Sequence, residues 1–178
     1  MKVFKVGVIG IGRVGLPLAL SLNKNGISTI GFDINQDIVD CVNQKIMPFR
    51  EDGYDEIIKE LDFSATTDLS RIKEVQNIII TVGTPLLAHI ETDLTQINIV
   101  LKSITKYLET NHNLILRSTV APKTTKYVKR YLEANTDLKV GKNIFLSFCP
   151  ERIAEGKALK ELETLPQIIG SEDKLPAQ

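Results

Sequence analysis

Residues 3–33 read VFKVGVIGIGRVGLPLALSLNKNGISTIGFD, and this stretch decides the fold. The apolar, β-branched run at residues 3–10 predicts a buried central strand that closes on a glycine. Apolar side chains at helical spacing over residues 13–24 predict a helix, and residues 28–33 predict a second strand. A strand, a helix and a second strand within about 30 residues have the size of a right-handed parallel crossover.

The same alternation of strands and helices continues along the chain. Further helices are predicted over residues 35–44, 54–61, 93–108 and 122–133, and further strands over residues 77–82, 114–119, 144–149 and 166–170. Asp93 is a good N-cap for its helix, and Pro122 fits the first turn of the next one. The pattern predicts an α/β fold with a Rossmann-like, doubly wound, mostly parallel sheet and helices on both faces.

Length and composition agree with a single folded domain. The chain has 178 residues, of which 43% are hydrophobic, and its 22 basic residues balance 22 acidic ones. Single domains typically have about 100–200 residues, so we expect residues 1–178 to form one domain. The sequence shows no basic run, signal peptide or membrane-length apolar segment. We therefore expect no nucleic-acid partner, no membrane association and a cytoplasmic location.

Cysteines and histidines are scarce. Cys41 and Cys149 are predicted to be reduced thiols, and two cysteines are too few for a disulfide framework. No histidine or cysteine spacing typical of a zinc site occurs, so no metal is predicted. His89 and His112 are predicted to face solvent in loops.

Three glycines separate the first predicted strand from the first helix, in the sequence Gly10-Ile11-Gly12-Arg13-Val14-Gly15. Gly10 allows a tight turn, Gly12 lets the backbone approach a pyrophosphate, and Gly15 permits close packing of helix on strand. The helix N-terminus that follows directs its amides and a partial positive charge at the phosphates. The loop therefore predicts a dinucleotide site.

Asp33 ends the second strand 18 residues after Gly15, where a carboxylate accepts hydrogen bonds from the adenosine ribose hydroxyls. The next two residues are Ile34 and Asn35, so no arginine is in place for a 2′-phosphate. The sequence therefore favours NAD over NADP as the cofactor. The alternative is a doubly wound sheet without a dinucleotide, in which the glycines only form a turn and Asp33 caps the following helix.

Polar segments follow three later strands, at residues 82–85, 117–122 and 148–157. Because ligands of doubly wound sheets bind at the carboxyl ends of the strands, we expect these segments to line the nicotinamide half of the site. They supply hydroxyl groups, prolines and charged side chains. The charged residues near position 151 equally fit a surface salt-bridge cluster that caps a short helix.

At these residues the chain resembles the nucleotide-sugar 6-dehydrogenases, the family of UDP-glucose, GDP-mannose and UDP-N-acetylmannosamine dehydrogenases. The matching segments cover nearly the whole chain in family order and are VGVIGIGRVGLPLALSL, FDIN, VGTPL, RSTVAPKTT and CPERIAEGKALKELETLPQIIG. Pro-Glu-Arg at residues 150–152, in place of the Pro-Glu-Phe usual in UDP-glucose enzymes, is more similar to the N-acetylhexosamine branch. Ile38 departs from the Lys or Arg that the family often has at this position.

The resemblance implies roles for individual residues. Glu151 and Thr119 are the implied catalytic residues, and Glu151 would order or deprotonate the hydrolytic water. The implied cofactor contacts are Gly10, Ile11, Gly12, Arg13, Val14, Gly15, Asp33, Thr84, Thr119 and Glu155. The implied contacts with the sugar nucleotide are Glu151, Arg152 and Ile153.

The resemblance also implies a reaction, the oxidation of a sugar C6 alcohol to a carboxylate by two NAD in succession, through a cysteine-bound aldehyde and a thioester. The family's nucleophilic cysteine, catalytic lysine and asparagine have no match in this chain. Cys149 matches a non-nucleophilic position, and Cys41, in the helix after Asp33, is predicted to be a small apolar core residue. We therefore expect the N-terminal NAD-binding domain of a UDP-N-acetylhexosamine dehydrogenase, with UDP-N-acetylmannosamine as substrate, lacking the central helix and the C-terminal substrate domain.

Such a domain is expected to be inactive by itself, and the full-length protein to be a homodimer. Three alternatives remain open at this point. They are a stand-alone NAD-binding or regulatory module, a UDP-glucose 6-dehydrogenase, and a small dehydrogenase of the β-hydroxyacid type.

Overall fold

The computed structural model describes residues 4–84, 93–154 and 156–171. Its strands are β1 (Phe4–Ile9), β2 (Thr29–Phe32), β3 (Ser64–Thr66), β4 (Val75–Ile80), β5 (Asn113–Leu116), β6 (Phe145–Phe148) and β7 (Gly170–Ser171). They form one sheet in the order β3-β2-β1-β4-β5-β6-β7, in which all neighbours are parallel except β6 and β7. The strand order reverses between β1 and β4, which is the doubly wound arrangement that the sequence predicts.

Helices cover both faces of this sheet. They are α1 (Gly15–Lys24), α2 (Gln36–Asn43), α3 (Tyr54–Glu60), α4 (Thr95–Ile104), α5 (Thr124–Asn135) and α6 (Ala158–Thr164). One apolar cluster packs α4 and α5 on one face, and a second packs α1, α2, α3 and α6 on the other. Within the described ranges, no helix combines the length and apolarity that crossing a membrane requires.

Strand β4 shows how the sheet is buried on both sides. Ile78 and Ile80 belong to the cluster under α4 and α5, whereas Ile79 belongs to the cluster under α1. Successive residues of a strand point to opposite faces, so a strand covered on both faces is apolar at nearly every position. The continuous run of isoleucines in the sequence therefore marks the centre of the sheet.

Several predicted boundaries differ from the structure. Pro122 precedes α5 instead of lying in its first turn, because Lys123 has a φ of 77° and the helix begins at Thr124. The helix predicted over residues 93–108 ends at Ile104 and continues as a 3₁₀ turn, Thr105–Tyr107. The last predicted strand is reduced to Gly170–Ser171.

The sequence pattern does not predict β3 or α6, which are short elements. Strand β3 has three residues and only Ala65 is buried, so it shows no apolar pattern and is recognised as a strand by its pairing with β2. The prediction that His112 faces solvent is wrong. Its side chain is fully buried, and Nδ1 accepts the N–H of Glu109 at 3.0 Å. His89 lies outside the described residues.

Candidate functional site

The glycine loop between β1 and α1 has a geometry that requires glycine at two positions. Gly10 has a φ of 89°, in the left-handed region that side chains disfavour. A Cβ on Gly15 would clash with the Gly10 carbonyl oxygen and lie 2.5 Å from Thr81 Oγ1. The Thr81 hydroxyl donates to the carbonyl oxygens of Ile9 and Gly10, at 3.0 and 2.8 Å. The end of β4 therefore holds the loop tightly against the first turn of α1.

Gly12, in contrast, faces open space. A Cβ built there meets nothing within 4 Å, so the backbone of the loop is accessible to a ligand. The neighbouring Ile11 side chain is fully buried in the core, whereas Arg13 is exposed. Among the described residues, no side chain caps the N-terminus of α1, and its positive end is open to an anion. This part of the chain fits the pyrophosphate of a dinucleotide.

A cleft of about 440 Å³ lies beside the loop, at the point between β1 and β4 where the strand order reverses. Gly10, Gly12 and Asp33 line it, together with residues from the end of β4 and one side of α4. Two of its lining side chains are unusually exposed for isoleucine, Ile34 at 83% and Ile99 at 45%. Apolar walls with a few polar groups are typical of a cofactor site, so the cleft fits a nucleoside.

Asp33 is held at the carboxyl end of β2. Its N–H donates to the Thr66 carbonyl at 3.2 Å, and its Oδ1 accepts the N–H of Asn35 at 3.0 Å. The cap of α2 is Asn35, whose side chain accepts the N–H of Asp37 at 2.9 Å. Asp33 therefore does not take the alternative role of helix cap, and its side chain lines the cleft instead.

The loops that leave β4 and β5 are joined by two hydrogen bonds in opposite directions. The Thr84 hydroxyl donates to the Thr119 carbonyl at 2.5 Å, and the Ser118 hydroxyl donates to the Val82 carbonyl at 2.6 Å. These bonds bring together Thr84 and Thr119, for which the family resemblance implies contacts on the nicotinamide side. Val82 and Gly83 line the same cleft as Asp33, so the threonines lie next to it.

A buried ion pair lies at the ends of β5 and β6. Arg117 and Glu151 side chains are 7% and 9% exposed, and Glu151 Oε2 lies 2.7 Å from Arg117 Nε and 2.6 Å from Nη2. Arg117 Nη1 also donates to Cys149 Sγ at 3.1 Å and to Gln167 Oε1 at 3.0 Å. Glu151 is thus part of a buried network and not of a surface salt-bridge cluster.

The other oxygen of Glu151 shapes the turn that follows it. Oε1 accepts the N–H groups of Arg152 at 2.7 Å and Ile153 at 3.0 Å. The exposed Arg152 side chain donates to the Pro166 carbonyl, while Ile153 packs against the core under α1. The three residues predicted to contact a sugar nucleotide therefore share one rigid turn directly after β6.

One predicted residue cannot be placed among these groups, and one residue of the buried pair is not predicted. Glu155 lies outside the described residues. The sequence predicts no role for Arg117, although it is the partner of Glu151. Sequence alone offers one signal for it, a charged residue directly after an apolar strand.

Comparisons with known proteins agree with this fold. The model of the UDP-glucose/GDP-mannose dehydrogenase family, NAD binding domain, matches residues 4–178. A UDP-N-acetyl-D-mannosamine dehydrogenase of Campylobacter jejuni is 34% identical over 177 residues, covering 93% of this chain and 43% of that protein. A UDP-N-acetyl-D-glucosamine 6-dehydrogenase of Pseudomonas aeruginosa is 32% identical over 169 residues, covering 94% of this chain and 40% of that protein.

A solved structure shows the same fold. The crystal structure of a ternary complex of GDP-mannose dehydrogenase from Pseudomonas aeruginosa superposes with a TM-score of 0.92 at 28% identity, covering 97% of this chain and 42% of that one. The chain spans about 40% of the length of the curated relatives it matches. With the glycine loop, the doubly wound sheet and the matched residues in agreement, the chain belongs to the UDP-glucose/GDP-mannose dehydrogenase family, as its NAD-binding domain.

Proposed function

We propose that this chain is the NAD-binding domain of an enzyme that oxidises the C6 alcohol of UDP-N-acetylmannosamine to the uronate, using two NAD in succession. The observation that carries the proposal is the Pro-Glu-Arg turn at residues 150–152, which the buried Arg117–Glu151 pair ties to the end of β5. Relatives from Pyrococcus horikoshii and Campylobacter jejuni, 28% and 34% identical, carry the name UDP-N-acetyl-D-mannosamine dehydrogenase. Their names support the choice of substrate.

The glycine loop and Asp33 would hold the cofactor. Main-chain groups of residues 11–14 would bind the pyrophosphate, and Asp33 would accept hydrogen bonds from the adenosine ribose. Thr84 and Thr119, joined by their hydrogen bond, would face the nicotinamide side, with Glu155 near the cofactor edge. When bound, NAD accepts a hydride from the substrate carbon.

Glu151 and Thr119 are the proposed catalytic residues. Four N–H donors hold the Glu151 carboxylate in one orientation, two from Arg117 and two from the turn that follows. A base that orders or deprotonates a water must lie within hydrogen-bond reach of it, and a fixed carboxylate supports that role. Arg152 and Ile153 would contact the sugar nucleotide from the same turn.

The chemistry is proposed for a longer protein, since this chain spans about 40% of its curated relatives. The nucleophilic cysteine, a central helix and a second domain would lie beyond this chain. Cys149 is 5% exposed and contacts Arg117, which does not suit a group that must reach a sugar. We also propose that the full-length protein is a cytoplasmic homodimer.

A substrate assay of the full-length enzyme tests the proposal. NADH formation is followed with UDP-N-acetylmannosamine, UDP-N-acetylglucosamine and UDP-glucose in parallel. We expect the first to have the highest kcat/KM, with two NADH formed per uronate. The relative from Pseudomonas aeruginosa favours UDP-N-acetylglucosamine as the second candidate. Preference for UDP-glucose, or one NADH per product, would contradict the proposal.

A pair of matched variants tests the role of Glu151. In the full-length enzyme, Glu151→Gln is expected to lower kcat by about 10²- to 10⁴-fold, the usual contribution of a general base. Glu163→Gln makes the same chemical change at an exposed position of α6 and is expected to leave kcat unchanged. Equal activity of the two variants would exclude Glu151 as the base. The 178-residue chain is expected to bind NAD without forming uronate.

A further inference from the structure

Glu51 is a buried carboxylate that the proposed function does not use. It lies between α2 and α3, in the segment of residues 46–53, and is 2% exposed. Its two oxygens accept the N–H groups of Gly156 and Ala158, both at 3.1 Å and 105 and 107 residues further along the chain. A buried carboxylate has to be paired or hydrogen-bonded, and here both bonds join distant segments.

The segment that Glu51 contacts is the continuation of the Pro-Glu-Arg turn. Carboxylates hold the backbone of residues 151–158 at several points. Glu151 accepts the N–H groups of the two residues that follow it, at 2.7 and 3.0 Å, and Glu161 accepts that of Ala154 at 2.7 Å. Of these three carboxylates, only Glu51 comes from outside the loop and the helix that follows it.

Segment 46–53 also reaches the glycine loop and α1. The Arg13 guanidinium lies over the Phe49 ring, 5.8 Å from its centroid. Tyr54, which follows the segment as the first residue of α3, is fully buried with its hydroxyl 2.8 Å from Ser21 Oγ of α1. A Cβ on Gly53 would come within 2.8 Å of a leucine side chain of α6. Segment 46–53 therefore contacts the glycine loop on one side and residues 151–158 on the other, and links the two.

We propose that Glu51 is a positioning residue, which fixes loop 151–158 against the glycine loop and thereby sets the affinity of the site for NAD. The inference rests on the proposed function, which assigns this loop to the cofactor and the sugar nucleotide. Loss of the carboxylate leaves two backbone amides without their acceptor and loosens this link. Cofactor binding then has to order the site, and the affinity falls.

The test is a calorimetric titration of NAD into the 178-residue chain and its variants, at a temperature where each is folded. Glu51→Gln places an NH₂ group against one of the two amides, and its Kd for NAD is expected to rise at least about fivefold. Asp52→Asn is the matched control, since it removes the same charge at the next position. Asp52 is 72% exposed and lies 3.5 Å from Arg50, and this control is expected to stay within about twofold of wild type.

Two further measurements separate a positioning role from a purely structural one. Glu51→Asp keeps the charge but is too short to reach both amides, so we expect a smaller rise in Kd. Hydrogen exchange at the amides of Gly156 and Ala158 is expected to accelerate in both Glu51 variants and not in Asp52→Asn. If Glu51→Gln does not fold, Glu51→Asp decides the question.

The outcomes distinguish the inference from the function on which it rests. If the variants exchange faster or melt lower but bind NAD as wild type does, Glu51 only stabilises the fold and the inference is wrong. If the wild-type chain itself does not bind NAD, the proposed function fails. A raised Kd for NAD in the Glu51 variants, together with NAD binding by the wild-type chain, supports both the inference and the proposed function.

Discussion

Removing Arg117 tests how much the buried pair with Glu151 stabilises the domain. Arg117→Met keeps the apolar stem but leaves the Glu151 carboxylate, 9% exposed, without its guanidinium partner. Breaking a buried pair in this way typically costs about 3–5 kcal/mol, because a charge stays buried without compensation. Glu151 keeps two backbone donors, at 2.7 and 3.0 Å, so we expect the lower end, about 3 kcal/mol.

The chain offers a control pair with the same chemistry and less burial. Arg71 and Glu74 also form a double contact, at 2.9 and 2.8 Å, but their side chains are 34% and 33% exposed. Pairs that reach solvent contribute about 0.2–1 kcal/mol, so Arg71→Met is expected to cost no more than about 1 kcal/mol. The difference between the two variants isolates the effect of burial.

Urea unfolding followed by circular dichroism at pH 7 measures both variants, with thermal melting as a second readout. For a chain of this size, 1 kcal/mol corresponds to about 2–4 °C in Tm, so Arg117→Met is expected to melt about 6–12 °C lower. The double variant Arg117→Met, Glu151→Gln removes the uncompensated charge and is expected to recover part of the loss. Equal losses for Arg117→Met and Arg71→Met would refute the reasoning.

Other perturbations have equally definite outcomes. Gly15→Ala overpacks the loop and is expected to cost about 1–3 kcal/mol in urea unfolding. Gly12→Ala has open space around the new methyl group, so it is expected to keep wild-type stability but to lose NAD affinity in calorimetry. The opposite pattern would contradict the loop geometry. Burial raises the pKa of Tyr54 above 10.0 despite an opposing side-chain hydrogen bond, so folding favours the neutral phenol. The free energy of unfolding, measured in urea, is therefore expected to fall as the pH rises above about 10. The fall is expected to be smaller in Tyr54→Phe. The hydrogen bond from Arg71 lowers the pKa of Glu74 below 4.5. The stabilisation that this shift gives the fold is present above about pH 4.5 and is lost as the pH falls through the lowered pKa. Arg71→Met should return the pKa of Glu74 to near 4.5 in an NMR titration, and an unchanged pKa would argue against the pair.

The parts of the molecule that depend on local pattern could be predicted from the sequence. Gly12 and Asp33 belong to one strand-helix-strand unit, so their positions at the cleft follow from residues close to them in the chain. The alternation of apolar strands and helices is likewise a local signal, and the sheet has the arrangement that it predicts.

The parts that depend on distant partners could not be predicted. Glu51 and Arg117 look like surface charges in the sequence, because their partners lie 105 and 34 residues away. His112 lies directly before β5, and its complete burial is a property of the packed structure that the neighbouring sequence does not indicate. Strand β3 is too short to show a period, and it forms only because β2 offers a free edge.

The central claim is that the cleft between β1 and β4, where the strand order reverses, binds NAD and that Asp33 accepts hydrogen bonds from the adenosine ribose of NAD. Isothermal titration of the 178-residue chain with NAD and with NADP tests it most directly, with Asp33→Asn as the variant. A carboxylate accepts from the ribose hydroxyls and repels a 2′-phosphate, so wild type is expected to bind NAD at least about tenfold more tightly than NADP, or about 1.4 kcal/mol. Asp33→Asn is expected to lose most of that preference. Equal affinity of wild type for the two cofactors, or no binding of NAD at millimolar concentration, would contradict the claim.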